Sequence, residues 1–399
     1  MAPCKPVKLL DQCRIAPPAG FAPTFTFFDI HWLPLPPLEF LFFYEFPYPK
    51  SQFIHSIVPR LKHSLSSTLI HFYPLSGYIL WPLEPNQPII RYTKGDSDSF
   101  TVFESDTDFY HLSSNHLKDA IEPRPLFSHL PVTVFPNTGI CIGLTYQHSI
   151  FNRFSMENGP FFPSSSFFLP ILDSCSYQSL PPKSLPVLDR TAIKDQAGFT
   201  KIFLDQLDRF MGFESESGNR RLRVIDVQIQ PNMVKATFTI NDASSRRLKE
   251  WVFSQNKKDD RTETIPPSRF VVICAYVWIC LLKAKEKAGM TNNMTRFVVT
   301  VDSRARLDPP ISKTYLEKAD LIRGGVAMAA QTIEDALHEL DKGIFIGFEN
   351  SLSILLELQS CRIFSCTGSP QLGLCKTDFG FGRPKRIEMP SNDGTGAML

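Results

Sequence analysis

The sequence predicts an α/β protein with two domains, each built from helices and a mixed sheet. The chain has 399 residues, more than one hydrophobic core usually supports. Strand-like and helix-like runs follow one another irregularly, which disfavours a simple parallel sheet with strict β–α alternation. A proline-rich stretch over 159–186 is typical of a linker. We therefore expect an N-terminal domain over 1–180, a crossover linker over 181–225 and a C-terminal domain over 226–399.

The N-terminal half is predicted to contain short strands and one long helix. Alternating or aromatic runs predict strands over residues 7–15, 24–32, 88–92, 100–103, 131–135 and 140–148. The last two should form a hairpin, because Pro136-Asn-Thr-Gly139 between them is a turn signal. Apolar residues at helical spacing predict a helix over 51–69, with Ser51 as its N-cap and with a kink or a break at Pro59.

The C-terminal half is predicted to combine longer helices with strands. An exposed loop is expected over 214–221, ahead of this half. The predicted elements are strands 234–240 and 296–301, two short strands within 363–380, and helices 241–254, 267–285 and 326–340. Asn241 or Asp242 should cap the first of these helices, because short polar side chains at that position satisfy free backbone N–H groups.

Composition argues against several classes of protein. The chain has 42 basic and 40 acidic residues, and a formal charge of +2 gives no electrostatic footprint for nucleic acid. The apolar run over 270–282 is too short to span a bilayer, and residues 1–5 lack the apolar segment of a signal peptide. Nine scattered cysteines suit a reducing compartment, so we expect a cytoplasmic protein that does not enter a membrane. The sequence shows no metal-ligand spacing, and we expect no metal.

One histidine lies at the end of an alternating strand. Ile140, Ile142, Leu144 and Tyr146 fall on the same face as His148 at a period of two. The strand would therefore bring an imidazole to the end of a buried apolar face, which is a common position for a general base. Most histidines in proteins serve structural roles, and we keep that interpretation for the other eight. We expect His148 to be the catalytic residue.

Asn152 stands four residues after His148, where a catalytic motif of this kind would carry a carboxylate. An asparagine amide can accept a hydrogen bond, but it carries no charge. The same spacing recurs at His111 and Asn115, so the pattern taken alone is weak.

Two further segments in the second half could serve a site. Asp378-Phe-Gly-Phe-Gly382 predicts a tight structural turn, because two glycines permit positive φ angles and the aspartate can cap it. A kinase-type magnesium loop is excluded, since no Gly-rich phosphate loop or His-Arg-Asp segment precedes this turn. Arg304 and Arg306 follow the strand predicted over 296–301. They are either surface arginines, or one pairs with a buried carboxylate while the other faces an anionic ligand.

Taken in order, these segments resemble the plant BAHD acyltransferases, which use coenzyme A thioesters. That family carries His-x-x-x-Asp-Gly at mid-chain and Asp-Phe-Gly-Trp-Gly near the C-terminus, at the positions of His148 and Asp378 in this chain. Further similar blocks are Phe27-Phe-Asp-Ile-His-Trp-Leu33, Leu41-Phe-Phe-Tyr-Glu-Phe46, Leu61-Lys-His-Ser-Leu65, His71-Phe-Tyr-Pro-Leu-Ser-Gly77, Cys274-Ala-Tyr-Val-Trp278 and Asp320-Leu-Ile322. They look most like the branch that transfers malonyl groups to anthocyanin, flavonoid and phenolic glucosides.

The resemblance implies a fold and a mechanism. The fold would be two mixed-sheet domains of the coenzyme A-dependent acyltransferase type, with a channel between them. His148 would take a proton from the acceptor hydroxyl as its oxygen attacks the thioester carbonyl. Malonyl-CoA or another acyl-CoA would be the co-substrate, with no permanently bound cofactor. A phenolic glycoside would be the acceptor, and we expect a monomer.

The resemblance also implies roles for the remaining candidates. Asn152 and Arg304 would support the loop that carries the histidine, in place of the family's aspartate–arginine pair. Arg306 would face the malonyl carboxylate. Asp378, Gly380 and Gly382 would be structural, which agrees with the turn chemistry of their segment.

Several positions depart from the family pattern. Asn152 replaces the aspartate and Arg153 replaces the glycine beside it, while Asn158-Gly-Pro-Phe-Phe-Pro163 stands where a helix normally follows. The family's Tyr-Phe-Gly-Asn-Cys strand is missing after Tyr315, and Phe381 replaces a tryptophan. These departures indicate either a degenerate paralogue or an incomplete gene model. Two rival functions also stay open: a protein that binds without turnover, and an unrelated soluble enzyme or interaction module.

Overall fold

Both halves of the chain take defined secondary structure in the computed structural model. The structure describes residues 7–16, 24–69, 72–93, 95–120, 123, 126, 131–147, 149–150, 190, 193–211, 215–216, 219–220, 222–225, 233–256, 268–287, 289, 296–302, 320–325, 343, 345–357, 363–366 and 374–392. The predicted linker over 159–186 and the predicted helix over 326–340 lie outside these residues.

The described strands are β1 (Lys8–Ile15), β2 (Leu38–Glu45), β3 (Tyr78–Leu80), β4 (Ile89–Arg91), β5 (Asp98–Glu104), β6 (Lys118–Asp119), β7 (Pro131–Phe135), β8 (Gly139–Tyr146), β9 (Ser215–Glu216), β10 (Asn219–Arg220), β11 (Val234–Lys235), β12 (Arg296–Asp302), β13 (Asp320–Gly325), β14 (Ile363–Cys366) and β15 (Arg386–Glu388). The α-helices are α1 (Phe27–Trp32), α2 (Lys50–Gln52), α3 (Val58–Leu69), α4 (Phe109–Leu112), α5 (Phe199–Met211), α6 (Asp242–Asn256), α7 (Arg269–Lys287) and α8 (Ser351–Glu357). A π-turn covers Phe53–Ile57, and 3-10 turns cover Tyr73–Ser76, Phe348–Asn350, Leu374–Lys376 and Pro390–Asn392.

A six-stranded mixed sheet organises the N-terminal half, in the order β1-β5-β7-β8-β2-β15. Only the β5–β7 pair in it is parallel, and the crossover between these two strands passes through α4 and β6. The predicted hairpin of β7 and β8 is present, and Asn137 in its turn has φ of 61°. The strands predicted over 7–15, 88–92, 100–103 and 131–135 are confirmed within one or two residues, as is the described part of the strand predicted over 140–148.

Strand β2 is buried on both faces of this sheet. Phe40, Phe42 and Tyr44 pack into an apolar cluster with β7, β8 and α3. The alternate residues Leu41 and Phe43 pack into a second cluster on the opposite face. A strand covered on both faces reads as a continuous apolar run, which is why its sequence shows no polar alternation.

The predicted strand over 24–32 is wrong, because this segment forms helix α1. Thr26 and Asp29 make a capping box, in which Asp29 Oδ2 accepts a hydrogen bond from the backbone N of Thr26 at 3.0 Å. All six residues of α1 are buried. Because α1 is buried on every side, its sequence does not show the exposed polar face by which an amphipathic helix is usually recognised.

The predicted helix over 51–69 is present, but its start differs from the prediction. It begins at Lys50 after Pro49, so Ser51 is not its N-cap. The π-turn over Phe53–Ile57 directly precedes α3, whose second residue is Pro59. A wider turn at this point accommodates a proline that cannot donate a backbone hydrogen bond.

The C-terminal half contains a three-stranded mixed sheet in the order β13-β12-β14. The predicted strand over 296–301 and the predicted helices at α6 and α7 are confirmed, and Asn241 Oδ1 caps α6 by accepting from the Ser244 backbone N at 2.8 Å.

Three other predictions for this half are only partly right. The segment 234–240 is paired only over Val234–Lys235, and the expected loop at 214–221 contains the short β9–β10 pair. Of the two strands expected around Gly368, the first is present as β14 (Ile363–Cys366); residues 367–373 lie outside those described, and a 3-10 turn covers Leu374–Lys376.

Segments distant in the chain share the same sheets. β15, near the C-terminus, is the edge strand beside β2, and β11 pairs with β6. The domain boundaries at 180 and 225 stay a prediction. None of the described helices is both long enough and apolar enough to cross a membrane.

Candidate active site

Strand β8 leads toward the predicted catalytic histidine. It pairs with β2 on one side and β7 on the other, and its first six residues are buried. Its last residue, Tyr146, lies opposite Leu38 and stacks on Phe40, with ring centroids 6.0 Å apart and planes 11° apart. The strand ends two residues before His148, and His148 itself lies outside the described residues.

The described residues on both sides of His148 are held by specific contacts. Gln147 Nε2 donates to the carbonyl oxygen of Leu35 at 3.0 Å and lies 3.5 Å from that of Leu33. Ile150 donates its backbone N–H to the Gln147 carbonyl at 3.1 Å. Ser149 and Ile150 are both buried. The chain therefore enters and leaves position 148 through bonded, largely enclosed residues.

Helix α1 directly precedes the segment to which Gln147 is bonded. Asp29 is fully buried there, and its Oδ2 lies 3.3 Å from Nε of Arg190, whose side chain is 6% exposed. Loss of either partner of such a buried ion pair strongly destabilises the fold, because the other charge is left buried without compensation. Sequence reasoning missed both residues, although the spacing Thr26-x-x-Asp29 is a capping signal that could have identified the helix start.

The Asp378-Phe-Gly-Phe-Gly382 segment forms a compact turn. Asp378 Oδ1 accepts hydrogen bonds from three backbone N–H groups, those of Gly380 at 2.7 Å, Phe381 at 2.9 Å and Gly382 at 2.8 Å. Gly380 and Gly382 have φ of 90° and 81°, in the region that disfavours a side chain. Asp378 Oδ1 is thus occupied by the backbone of its own turn.

Aromatic rings attach this turn to strand β2. The Phe379 ring lies 5.7 Å from that of Phe42 and 6.0 Å from that of Tyr44, both edge-on. The Phe381 ring lies 5.7 Å from Tyr44 and 6.2 Å from Phe46. Phe381 thus packs its ring against aromatic side chains of the sheet.

Tyr44 connects the turn to the sheet by a hydrogen bond as well. Its hydroxyl donates to the Thr377 carbonyl at 3.1 Å. Burial raises the pKa of Tyr44 well above its ordinary value, and the negative charge of Asp378 raises it further. The phenol therefore stays protonated and remains a donor over the whole physiological range.

A buried charged cluster joins three distant parts of the chain at Glu388. Its carboxylate lies 3.2 Å from Lys118, 2.5 Å from Lys235 and 2.5 Å from Arg386. Burial alone would raise the pKa of Glu388, but the three positive charges outweigh it and the pKa is lowered. Burial lowers the pKa of Lys118 despite the partly compensating charge of Glu388. Sequence reasoning did not anticipate this cluster, because Lys118 and Lys235 are far from Glu388 in the chain.

Comparison with protein-family models identifies the family. The model described as the Transferase family matches residues 27–399, which is nearly the whole chain. The protein belongs to this family, the BAHD acyltransferases. It is therefore an acyltransferase, and an acyl-CoA is the co-substrate in this family.

Curated relatives in the BAHD family align over nearly their full length. The malonyl-coenzyme:anthocyanin 5-O-glucoside-6'''-O-malonyltransferase of Salvia splendens is 31% identical, with 97% of this chain and 87% of the relative covered. The malonyl-coenzyme A:anthocyanin 3-O-glucoside-6''-O-malonyltransferase of Dahlia pinnata is 31% identical, with 96% and 88% covered. Agmatine coumaroyltransferase of Arabidopsis thaliana is also 31% identical, with 92% and 85% covered.

Solved structures of BAHD-like enzymes share the fold. Vinorine synthase matches with a TM-score of 0.60 at 17% identity, covering 96% of this chain and 88% of that one. TRI101 of F. graminearum, complexed with coenzyme A and deoxynivalenol, matches with a TM-score of 0.57 at 13% identity, covering 93% and 89%. The α/β fold with mixed sheets, predicted as the acyltransferase type, is confirmed.

The candidate residues of this BAHD member divide into two groups. Asp378, Gly380 and Gly382 are described and form the turn against β2. His148, Asn152, Arg304 and Arg306 lie outside the described residues, as does the expected channel between domains. No group of three or more His, Cys, Asp or Glu side chains within the described part of the chain could hold a metal ion.

Proposed function

We propose that the protein transfers a malonyl group from malonyl-CoA to the sugar hydroxyl of a phenolic or flavonoid glucoside. The family match over residues 27–399 is the observation that carries this proposal. Two relatives that are 31% identical over nearly all of the chain are malonyltransferases of anthocyanin glucosides. The acceptor would be a small molecule, and we include a monomeric, cytoplasmic enzyme in the proposal.

The proposed chemistry is a direct acyl transfer with His148 as general base. The imidazole takes the proton from the sugar hydroxyl while the oxygen attacks the thioester carbonyl carbon. A tetrahedral oxyanion forms and then collapses, the C–S bond breaks, and the coenzyme A thiolate leaves and takes up the proton. A positioned base contributes roughly 10²- to 10⁴-fold to such a step. No covalent acyl-enzyme is needed.

Supporting roles in this proposal go to charged and amide side chains. Asn152 would accept a hydrogen bond from Arg304, so that the pair holds the histidine loop in place of the family's ion pair. Arg306 would bind the malonyl carboxylate, because a guanidinium matches the geometry of a carboxylate with two hydrogen bonds. The Asp378 turn would act only structurally, and its three backbone bonds support that role.

A second candidate function is acyl-CoA binding without turnover. Asn152 stands where the family carries its aspartate, and an amide cannot neutralise an arginine. The alignment with the Salvia splendens relative runs over 431 residues, more than the 399 of this chain, so the relative has residues that this chain lacks. A lost segment near the site would favour binding over catalysis.

The test measures release of free thiol from malonyl-CoA with a flavonoid glucoside as acceptor. The natural protein is compared with His148→Ala and Asn152→Asp. We expect low activity in the natural protein, a higher rate in Asn152→Asp, and loss of ~10²-fold or more in His148→Ala. His55→Ala is the matched control, because His55 is exposed and contacts only the backbone of its own helix in the described contacts; its rate should be unchanged.

The outcomes separate the candidates. Equal rates in the natural protein and His148→Ala would remove His148 from the mechanism. Calorimetric binding of malonyl-CoA without thiol release, in the natural protein and in Asn152→Asp, would support the binding protein. Because agmatine coumaroyltransferase is as similar as the malonyltransferases, coumaroyl-CoA is tested in parallel. Consumption of coumaroyl-CoA alone would reject malonyl as the donor.

A further inference from the structure

We propose that Gln147 is a positioning residue for acyl transfer, whose side-chain amide fixes the backbone that carries His148. The inference rests on the proposed function of His148. It adds a residue that neither the strand pattern nor the short motifs singled out, and its basis is the set of described contacts on each side of position 148.

The amide of Gln147 is bonded to a segment that immediately follows helix α1. Its Nε2 donates to the Leu35 carbonyl at 3.0 Å and approaches the Leu33 carbonyl at 3.5 Å. A primary amide has two N–H groups, so both acceptors can be served at once. The carbonyl between them, that of Pro34, accepts from the Ile225 backbone N at 2.6 Å. The three consecutive carbonyls of residues 33–35 thus accept hydrogen bonds from Gln147 and Ile225, which are distant in the chain.

The segment that receives these bonds is itself rigidly held. Leu33 is fully buried, and α1 before it is buried along its whole length. Leu33 and Leu35 also donate their backbone N–H groups back to α1, to Ile30 at 3.1 Å and to Trp32 at 3.2 Å. The buried pair of Asp29 and Arg190 anchors the same helix. An amide bonded here is therefore tied to the packed interior and not to a free loop.

The backbone of Gln147 is bonded to the chain that follows position 148. The Gln147 carbonyl accepts from the Ile150 backbone N at 3.1 Å, so the backbone of Gln147 is bonded to a residue beyond position 148. Ile150 packs into the apolar cluster that contains Phe25 and the residues of α1. Gln147 is consequently bonded at both its side chain and its backbone, one residue from the proposed base. Because a displacement of about 1 Å can reduce a rate about 10²-fold, this restraint bears directly on catalysis.

The test compares three side chains of similar length at this position. Gln147→Met keeps the length and removes the donors, whereas Gln147→Lys restores donors on a flexible stem. We expect kcat per coenzyme A-binding site to fall ~10-fold to 10²-fold in Gln147→Met, with KM for the acyl-CoA little changed, and to recover at least partly in Gln147→Lys. The matched control is Gln206→Met, which deletes an amide-to-carbonyl bond of 2.9 Å to Glu349 elsewhere; its kcat should stay within twofold of the natural value.

Binding sites are counted by calorimetric titration with coenzyme A, so that loss of folded protein does not register as loss of kcat. Unchanged kcat per site in Gln147→Met, while His148→Ala abolishes turnover, would overturn the role of Gln147 and leave the proposed function intact. Equal losses in Gln147→Met and Gln147→Lys would show that hydrogen-bond donation is not what matters, and would also overturn it. Absence of turnover in the natural protein and in Asn152→Asp would overturn both.

Discussion

At the scale of single residues, Glu388 connects parts of the protein that the sequence keeps apart. Lys118 lies 270 residues before Glu388, and Lys235 lies between them in the chain. Because all three side chains are largely removed from water, their charges are screened little. The single carboxylate therefore holds β15, β6 and β11 together, and its charge state should influence the stability of the whole fold.

The pKa shift of Glu388 predicts a pH dependence of folding. Its folded-state pKa lies below the ordinary value of 4.5, so its contribution is fully present above about pH 4.5 and is lost as pH falls through the lowered pKa. Glu388→Gln should reduce the free energy of unfolding at pH 7 by about 3–5 kcal/mol, because three cations lose their buried partner. It should also flatten the decline below pH 4.5. Urea unfolding between pH 7 and pH 3.5 measures both effects.

The control for this prediction is Glu45→Gln. Glu45 pairs with Lys385 at 2.5 Å, but both side chains are well exposed. Exposed pairs contribute about 0–1 kcal/mol, so this variant should differ little from the natural protein. Indistinguishable acid-unfolding curves for Glu388→Gln and the natural protein would contradict a lowered pKa at Glu388.

At the scale of elements, the Asp378 turn shows how one side chain can define a loop. Asp378→Ala removes the acceptor of three backbone N–H groups and should reduce the free energy of unfolding by about 2–3 kcal/mol. Asp378→Asn keeps an acceptor oxygen, so it should lose about half as much. Chemical unfolding of the three proteins gives the order. Equal stability of Asp378→Ala and Asp378→Asn would show that the accepting oxygen contributes nothing.

The glycines of the same turn predict a separate, conformational effect. A Cβ at Gly382 would meet no atom within 4 Å, yet the backbone has φ of 81°. Gly382→Ala should therefore lose about 1 kcal/mol through backbone strain alone, without a clash. Thermal unfolding measures the loss. A stabilised Gly382→Ala would show that the turn relaxes to negative φ once a side chain is present.

Other elements show where sequence reasoning succeeds and where it fails. Period-two alternation correctly predicted β7 and β8, because the alternation of side chains along a strand is visible in the strand's own sequence. It failed at α1, where all six residues are buried, Asp29 and His31 included, and no face is exposed to solvent. The capping box of Thr26 and Asp29 is the local signal that marks the start of this helix. The strand predicted over 234–240 shrank to two residues, since its pairing depends on β6, which the local sequence does not indicate.

In the candidate site, too, the sequence indicated some residues and not others. The glycines of the Asp378 turn were visible because positive φ has a specific residue signature. Gln147 was not visible, because a glutamine at a strand end carries no signal until the carbonyls of Leu33 and Leu35 are placed beside it. Contacts between residues more than a hundred positions apart depend on the whole fold, and a single sequence does not specify them locally.

At the scale of the whole molecule, the C-terminal segment completes the N-terminal sheet. Tyr44 and Thr377 are 333 residues apart and share a buried hydrogen bond. Residues 374–392 supply β15, the Asp378 turn with its aromatic contacts, and Glu388. Without this segment, one edge of β2 would lose its partner strand and the Phe42 and Tyr44 rings would lose apolar cover. The sheet is therefore not expected to be stable as an N-terminal unit.

Deletion of residues 374–399 should consequently unfold the protein rather than release a stable fragment. Phe379 alone contributes a buried aromatic ring, whose loss typically costs about 3–5 kcal/mol, comparable to much of the stability of a domain. The deletion variant should show no cooperative thermal transition by circular dichroism. Addition of a peptide spanning 374–392 should restore part of the transition, because β15 and the turn can then pair with β2 in trans. A deletion variant that melts at the temperature of the full chain would show that the sheet is stable without its C-terminal strand.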